Sequence, residues 1–334
     1  MKRAAVALLA AAGLLAAGTP GDGHPVAASR PAQVASPHPA DRRPDDPAGP
    51  RPLPRTLYGV TADDISGLAQ LVEGARHLPE RPVTRIYFDA AEPPGYYAAA
   101  VTALRPVSYL MGELLDSSDE ARVSVAAYRA RVRAYLAAFG RDVDLWEIGN
   151  EVNGDWTGPY TTVEAKLTAA YQEVSALGEP MALTLYYNVG CGDGPAELGP
   201  LAFSRRYVPP AVRAGLRYVF LSYYEDNCGG IRPTAAVLTA YLRALHRLYP
   251  HARLGFGEVG LDQPVTAATL PAAVDMLSYY YGLPIRLPYY TGGYFWWYYA
   301  EDCLPYGRRP LWSALRAAFI AEAASQRAPE HRAL

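Results

Sequence analysis

The chain has no Lys/Arg-rich run. Its arginines are dispersed and the net charge over 334 residues is −2. A nucleic-acid partner needs a basic patch to displace counterions, so none is expected. Histidine is scarce, with six in all. His24 and His38 fall in a Pro-rich stretch, and His77, His246 and His251 fall on or just after expected helices. A histidine metal site and a Ser-His-Asp triad therefore lack parts. There is no G-x-S-x-G elbow, which argues against a lipase-type serine hydrolase. Gly255-Phe256-Gly257-Glu258-Val259-Gly260 has the spacing of a dinucleotide loop. However, a carboxylate sits inside it and Asp262, Gln263 and Pro264 delay the helix that should open at once. No cofactor and no metal is expected, although an all-carboxylate cation site stays open.

Large apolar runs are missing beyond the first residues, so no membrane span is expected. Lys2-Arg3 followed by Ala4 to Ala17 is a charged start and a short apolar stretch. With small residues at Ala16-Ala17-Gly18 or Val26-Ala27-Ala28, this reads as a secretory signal peptide over residues 1–28. No cysteine lies near the cleavage region to carry a lipid. Residues 29–54 are dense in Pro, Ala, Asp and Arg and have almost nothing to bury, which predicts a disordered linker. A secreted protein with one folded domain over residues 55–327, a short tail over 328–334 and action as a monomer is the expectation.

What the chain has is a large apolar fraction, 50% hydrophobic residues, and 26 tyrosines. From Leu57 onward, short apolar runs alternate with helical periodicity. Strands are expected at Leu57–Val60, Val83–Asp89, Pro106–Met111, Asp144–Ile148, Met181–Tyr187, Leu216–Ser222, Ala252–Gly257 and Gly293–Tyr298. Helices are expected at Asp64–Leu78, Tyr96–Leu104, Arg122–Phe139, Thr161–Leu177, Phe203–Ala214, Thr234–Tyr249, Thr266–Tyr281 and Pro310–Ala324. Alternation implies parallel strands with right-handed crossovers. Eight units over some 270 residues predict a single (β/α)8 TIM barrel, with a doubly wound open sheet as the alternative.

In such folds the chemistry collects at the carboxyl ends of the strands. Arg85, Glu113, the pair Asn150-Glu151, the run Ser222-Tyr223-Tyr224, Glu258 and the pair Trp296-Trp297 all fall there. Two glutamates facing one aromatic-lined cavity are what glycoside hydrolysis requires: one protonates the leaving oxygen and the other attacks.

Trp146-Glu147-Ile148-Gly149-Asn150-Glu151 resembles the Asn-Glu motif at the end of strand four in clan A retaining glycoside hydrolases, and Gly257-Glu258 resembles their strand-seven nucleophile. The resemblance covers about residues 57–325 and does not name a family within the clan. It implies Glu151 as acid/base, Glu258 as nucleophile, and Asn150 as the partner of the sugar 2-hydroxyl. It also implies that Arg85 and Tyr224 hold Glu258 ionised, and that Trp296 or Trp297 floors the sugar site. Glu113 joins these as a substrate-side residue. Many clan members carry His-x-Tyr where this chain has Ser222-Tyr223-Tyr224, which leaves the sugar open. The implied partner is a carbohydrate. A catalytically silent carbohydrate-binding barrel and a transglycosylase using the same glutamates are the competing readings. Trp146 and Trp156, near Glu151 in sequence, are candidates for the less polar setting that an acid needs.

Three cysteines remain to be placed. Cys191 and Cys228 follow neighbouring strands five and six, and in an oxidising compartment they are expected to pair, leaving Cys303 free. A Cys228–Cys303 bridge would skip a strand.

Overall fold

The computed structural model describes residues 49–191 and 197–327, with side chains as far as residue 324. The expected leader, the tail and the linker up to residue 48 lie outside the described residues. Eight parallel strands close into one barrel in sequence order. They are β1 (Leu57–Ala62), β2 (Val83–Tyr87), β3 (Tyr109–Glu113), β4 (Leu145–Glu147), β5 (Met181–Tyr186), β6 (Tyr218–Tyr223), β7 (Arg253–Val259) and β8 (Tyr290–Trp296). The helices are α1 (Leu68–His77), α2 (Pro94–Leu104), α3 (Ser117–Glu120), α4 (Val125–Phe139), α5 (Tyr160–Ala176), α6 (Pro200–Tyr207), α7 (Pro210–Gly215), α8 (Ala235–His246), α9 (Leu270–Tyr281), α10 (Tyr299–Cys303) and α11 (Pro310–Arg327). The open-sheet alternative is excluded by the closure of β8 onto β1.

Local chemistry explains where the elements depart from their expected bounds. α1 starts four residues late because the Asp64 carboxylate turns back to the backbone N–H and hydroxyl of Ser66. α4 starts at Val125 because the Ser124 hydroxyl accepts from the Ala127 N–H and caps it. The helix expected over Phe203–Ala214 is broken into α6 and α7 at Pro209-Pro210, where a second proline cannot donate to a continuing helix.

The strands alternate faces. Leu57, Val83, Met111, Leu145, Ala182, Tyr218, Phe220 and Phe295 form a separate apolar layer, to which each strand from β1 to β6, and the segment β8, contributes at least one residue. One side chain further along each strand on the same face lies two residues on. That step takes Val83 to Arg85, Met111 to Glu113, Leu145 to Glu147, Ala182 to Thr184 and Phe220 to Ser222. All five of these are buried. A polar layer thus sits directly above an apolar one. The other faces, with Ile86, Trp146, Leu183, Leu221 and Phe256, pack outward against the helices in a second, larger cluster.

The folded body reaches upstream of residue 55. Leu53 packs against the apolar layer. Arg51 binds Asp144 through its backbone N–H at 2.7 Å, Nε at 2.9 Å and Nη2 at 2.6 Å, and donates to the carbonyls of Arg105 and Ser108. Asp144 is fully buried, so it needs a cation, and the linker-like sequence supplies it.

Cys191 and Cys228 are bonded, with Sγ–Sγ 2.01 Å, and Cys303 is a buried free thiol. No helix among the described residues is long and apolar enough to cross a membrane.

Candidate active site

The polar layer is organised around Arg85. Its side chain is fully buried, and three carboxylates from three other strands meet it. Nε donates to Glu147 Oε2 at 2.7 Å, Nη1 donates to Glu258 Oε2 at 3.0 Å, and Nη2 lies 3.1 Å from Glu113 Oε1. Burial alone would lower the Arg85 pKa, but Glu113, Glu147 and Glu258 outweigh it and keep the guanidinium charged.

Glu258 reaches this layer through a bulge. β6 pairs Leu221 with Phe256 and then Ser222 with Glu258, so Gly257 is an extra residue. The extra residue flips Glu258 to the inner face, where it aligns with Ser222. Gly257 is needed there: a Cβ would come within 2.6 Å of Thr184 Oγ1 and 2.8 Å of Phe220 Cβ. Tyr224 donates to Glu258 Oε1 from the loop after β6. Burial, then the charges of Glu258 and Glu151, push the Tyr224 pKa well up, so the hydroxyl keeps its proton and acts as a donor.

Glu151 sits on the loop after β4 with φ +46°, in the left-handed region that non-glycine residues seldom adopt. Such a conformation is costly and persists where the surroundings enforce it. Ser222 donates to Glu151 Oε1 at 2.7 Å and Ser117 to Oε2 at 2.8 Å. Glu151 is fully buried. The two glutamates are therefore held by different chemistry. Glu258 meets a cation and a phenol, and Glu151 meets two neutral hydroxyls. Ser222 ties the two together, bonding one side chain and pairing in register with the other.

The remaining expected residues divide. Asn150 Nδ2 donates to Asp116 Oδ2 at 3.2 Å, while its Oδ1 is buried with no hydrogen-bond partner. Trp297 is half-buried, with its ring 5.3 Å from the Arg85 guanidinium carbon and edge-on to Tyr87. Trp296 faces the other way. It is fully buried in the outer cluster, and its Nε1 donates to Asp302 at 2.8 Å. Of the two indoles, Trp297 is the one beside Arg85. Glu113 is fully buried beside Arg85. Trp146 packs in the outer cluster.

Glu147, Thr184, Ser117 and Asp116 were not singled out from the sequence. Glu147 was findable, since it lies two residues from inward-facing Leu145 and so shares its face. Ser117 and Asp116 come from a short helix, α3, and its cap, for which apolar periodicity gives no signal. Among the described residues no group of three His, Cys, Asp or Glu side chains is placed to hold a metal ion.

No protein-family model matches the chain, and no curated protein matches it in sequence. Its fold resembles solved structures. One is a GH10 xylanase from Bispora sp. MEY-1 with xylobiose, at TM-score 0.53 and 14% identity, covering 78% of this chain and 95% of that one. A thermostable mutant of a xylanase from Cellvibrio japonicus gives 0.50 and 13%, covering 82% and 97%. A GH5-4 broad-specificity endoglucanase from an uncultured bacterium gives 0.50 and 12%, covering 76% and 84%. At these identities the likeness is one of fold.

Proposed function

We propose that the protein is a secreted retaining glycoside hydrolase that cleaves O-glycosidic bonds of a polysaccharide or oligosaccharide. The observation that carries this reading is the contrast between two buried carboxyl groups at the ends of β4 and β7. Glu258, against Arg85 and the Tyr224 hydroxyl, is equipped to be an anion and a nucleophile. Glu151 is fully buried and bonded to the Ser117 and Ser222 hydroxyls, which can turn to donate to the anion or accept from the acid, so it is equipped to hold and pass a proton.

In the first step a Glu258 oxygen bonds to the anomeric carbon while the glycosidic C–O bond breaks, and Glu151 gives its proton to the leaving oxygen. In the second, Glu151 takes a proton from water, whose oxygen attacks the anomeric carbon and releases Glu258 as carboxylate. Two inversions give net retention. That mechanism calls for carboxyl groups about 5–5.5 Å apart. Trp297 offers its face to the sugar ring, and the unpartnered Asn150 Oδ1 offers an acceptor for the 2-hydroxyl. The Cys191–Cys228 bridge supports export to an oxidising compartment, in line with the leader-like first residues.

The test is a glycan panel with product anomers followed by NMR. Retained configuration is expected in the wild type. Glu258→Gln should lose activity on every substrate. Glu151→Ala should lose roughly 10²–10⁴-fold on natural leaving groups. It should lose far less in the first step on activated aryl glycosides, and azide should speed release of the sugar. An inverted product, or equal losses in both variants on both substrate types, would refute these roles.

A further inference from the structure

Three carboxylates facing one guanidinium leave a charge to be accounted for. If Glu113, Glu147 and Glu258 were all ionised, they and Arg85 would sum to −2 in a set that is fully buried throughout. An uncompensated charge out of water is costly, and a carboxyl in that position neutralises instead. The hydrogen bonds show which one. Glu147 accepts from Arg85 Nε and from the Thr184 hydroxyl. Glu258 accepts from Arg85 Nη1 and from the Tyr224 hydroxyl. Each therefore has two aligned donors that favour the anion. Glu113 has none: it lies 3.1 Å from Arg85 Nη2, yet neither of its oxygens, nor that nitrogen, makes an aligned hydrogen bond.

We infer that Glu113 is a neutral, proton-bearing positioning residue whose lack of charge leaves Arg85 to Glu147 and Glu258. The groups facing it agree. Burial pushes its pKa up. Arg85 on β2 opposes this, while Glu147 on β4, Asp116 beyond β3 and Glu258 on β7 add to it. Tyr87, at the end of β2, is itself held protonated by burial and by the charges of Asp116 and Asp89. With Glu113 neutral the set carries −1 in the resting site. Resting on the nucleophile reading, esterification of Glu258 then removes one negative charge and leaves Arg85 and Glu147 as a balanced pair. An ionised Glu113 would compete with Glu258 for the same guanidinium and leave the ester stage with an excess charge.

The experiment is an infrared titration of wild type against Glu113→Gln, with pH profiles of kcat and KM for both and for Glu113→Ala. The wild type at neutral pH should show a carboxylic C=O stretch absent from Glu113→Gln and lost from the wild type as pH rises. This difference needs no turnover, so it decides the protonation of Glu113 even if the glycosidase reading fails. In activity, Glu113→Gln should keep most of kcat and extend the alkaline limb, since amide and neutral acid have the same shape. Glu113→Ala should lose up to roughly 100-fold in kcat, the cost of a small misplacement of the reacting groups. Absence of the infrared difference, or a Gln variant as impaired as Ala at every pH, would overturn the inference.

Discussion

At the scale of the residue, burial decides what each charge can do. Arg131 shows the structural use: its guanidinium donates to the carbonyls of Leu114, Phe88 and Asp89 and locks the loops after β2 and β3. Glu322 on α11 shows the opposite, a buried acid with Oε2 left without a partner. Burial pushes its pKa up to about 8 from the ordinary 4.5. The sign follows from proton linkage. The folded state holds the proton over a range where the unfolded chain has lost it. The stability is therefore fully present below about pH 4.5 and is lost as pH rises through about 8. The loss by neutral pH is on the order of a few kcal/mol. Glu322→Gln should be flatter than the wild type across that window and more stable at its upper end. Urea unfolding at several pH values measures this, and parallel curves for the two proteins would show that Glu322 is not the source.

At the scale of the element, the parts of the chain that announce themselves are those whose burial has a period. The eight strands and the long helices were legible because apolar side chains recur at two or at three to four residues. The ends of β4 and β7 were legible because apolar runs stop at Glu151 and Glu258. What escaped is what periodicity does not encode. The bulge at Gly257 shows only in the pairing with β6, and α3 is too short to show a face. The outward turn of Trp296 follows from the inward Phe295 before it, which the expected strand bounds did not fix. The segment before β1 escaped for another reason. Its composition resembles a linker, yet Arg51 and Leu53 close the amino-terminal end of the barrel. A chain beginning at Gly49 should therefore unfold as the full chain does, while one beginning at Arg55 should be weaker. Arg51→Ala alone should cost up to roughly 3–5 kcal/mol, because it leaves buried Asp144 with only the more distant Arg105, 3.9 Å away, as a cation. Equal melting of the Gly49 and Arg55 chains would show that the segment adds nothing.

At the scale of the molecule, the loops at the carboxyl end of the barrel are tied to one another around much of the mouth. Ser117 and Asp116 hold the loop after β4, and Asn153 on that loop donates to the carbonyls of Tyr186 at the end of β5 and Leu198 beyond it. The Asp262 N–H donates to Asp226, joining the loops after β6 and β7, and the Val265 N–H donates to Asp302 beyond β8. Asp63 beyond β1 faces Glu301 beyond β8, and burial with that neighbour pushes its pKa up to about 9. The disulfide from Cys191 to Cys228 is the covalent link in this series, between the loops after β5 and β6. A site that works by preorganised donors needs its loops fixed before the substrate arrives. The bridge also acts on the unfolded chain: it spans 37 residues, and closing such a loop removes about 3–4 kcal/mol of unfolded-state entropy. Replacing both cysteines by serine should lower stability by that order in denaturant unfolding. Glu151 is held by Ser222 at the end of β6 and Glu258 by Tyr224 just beyond it, so the loop that carries Cys228 also bears on the site. The same double variant, assayed well below its melting temperature, should therefore lose kcat more than it raises KM. A stability loss with kcat unchanged would confine the bridge to the unfolded state and leave the hydrogen-bonded links to fix the mouth alone.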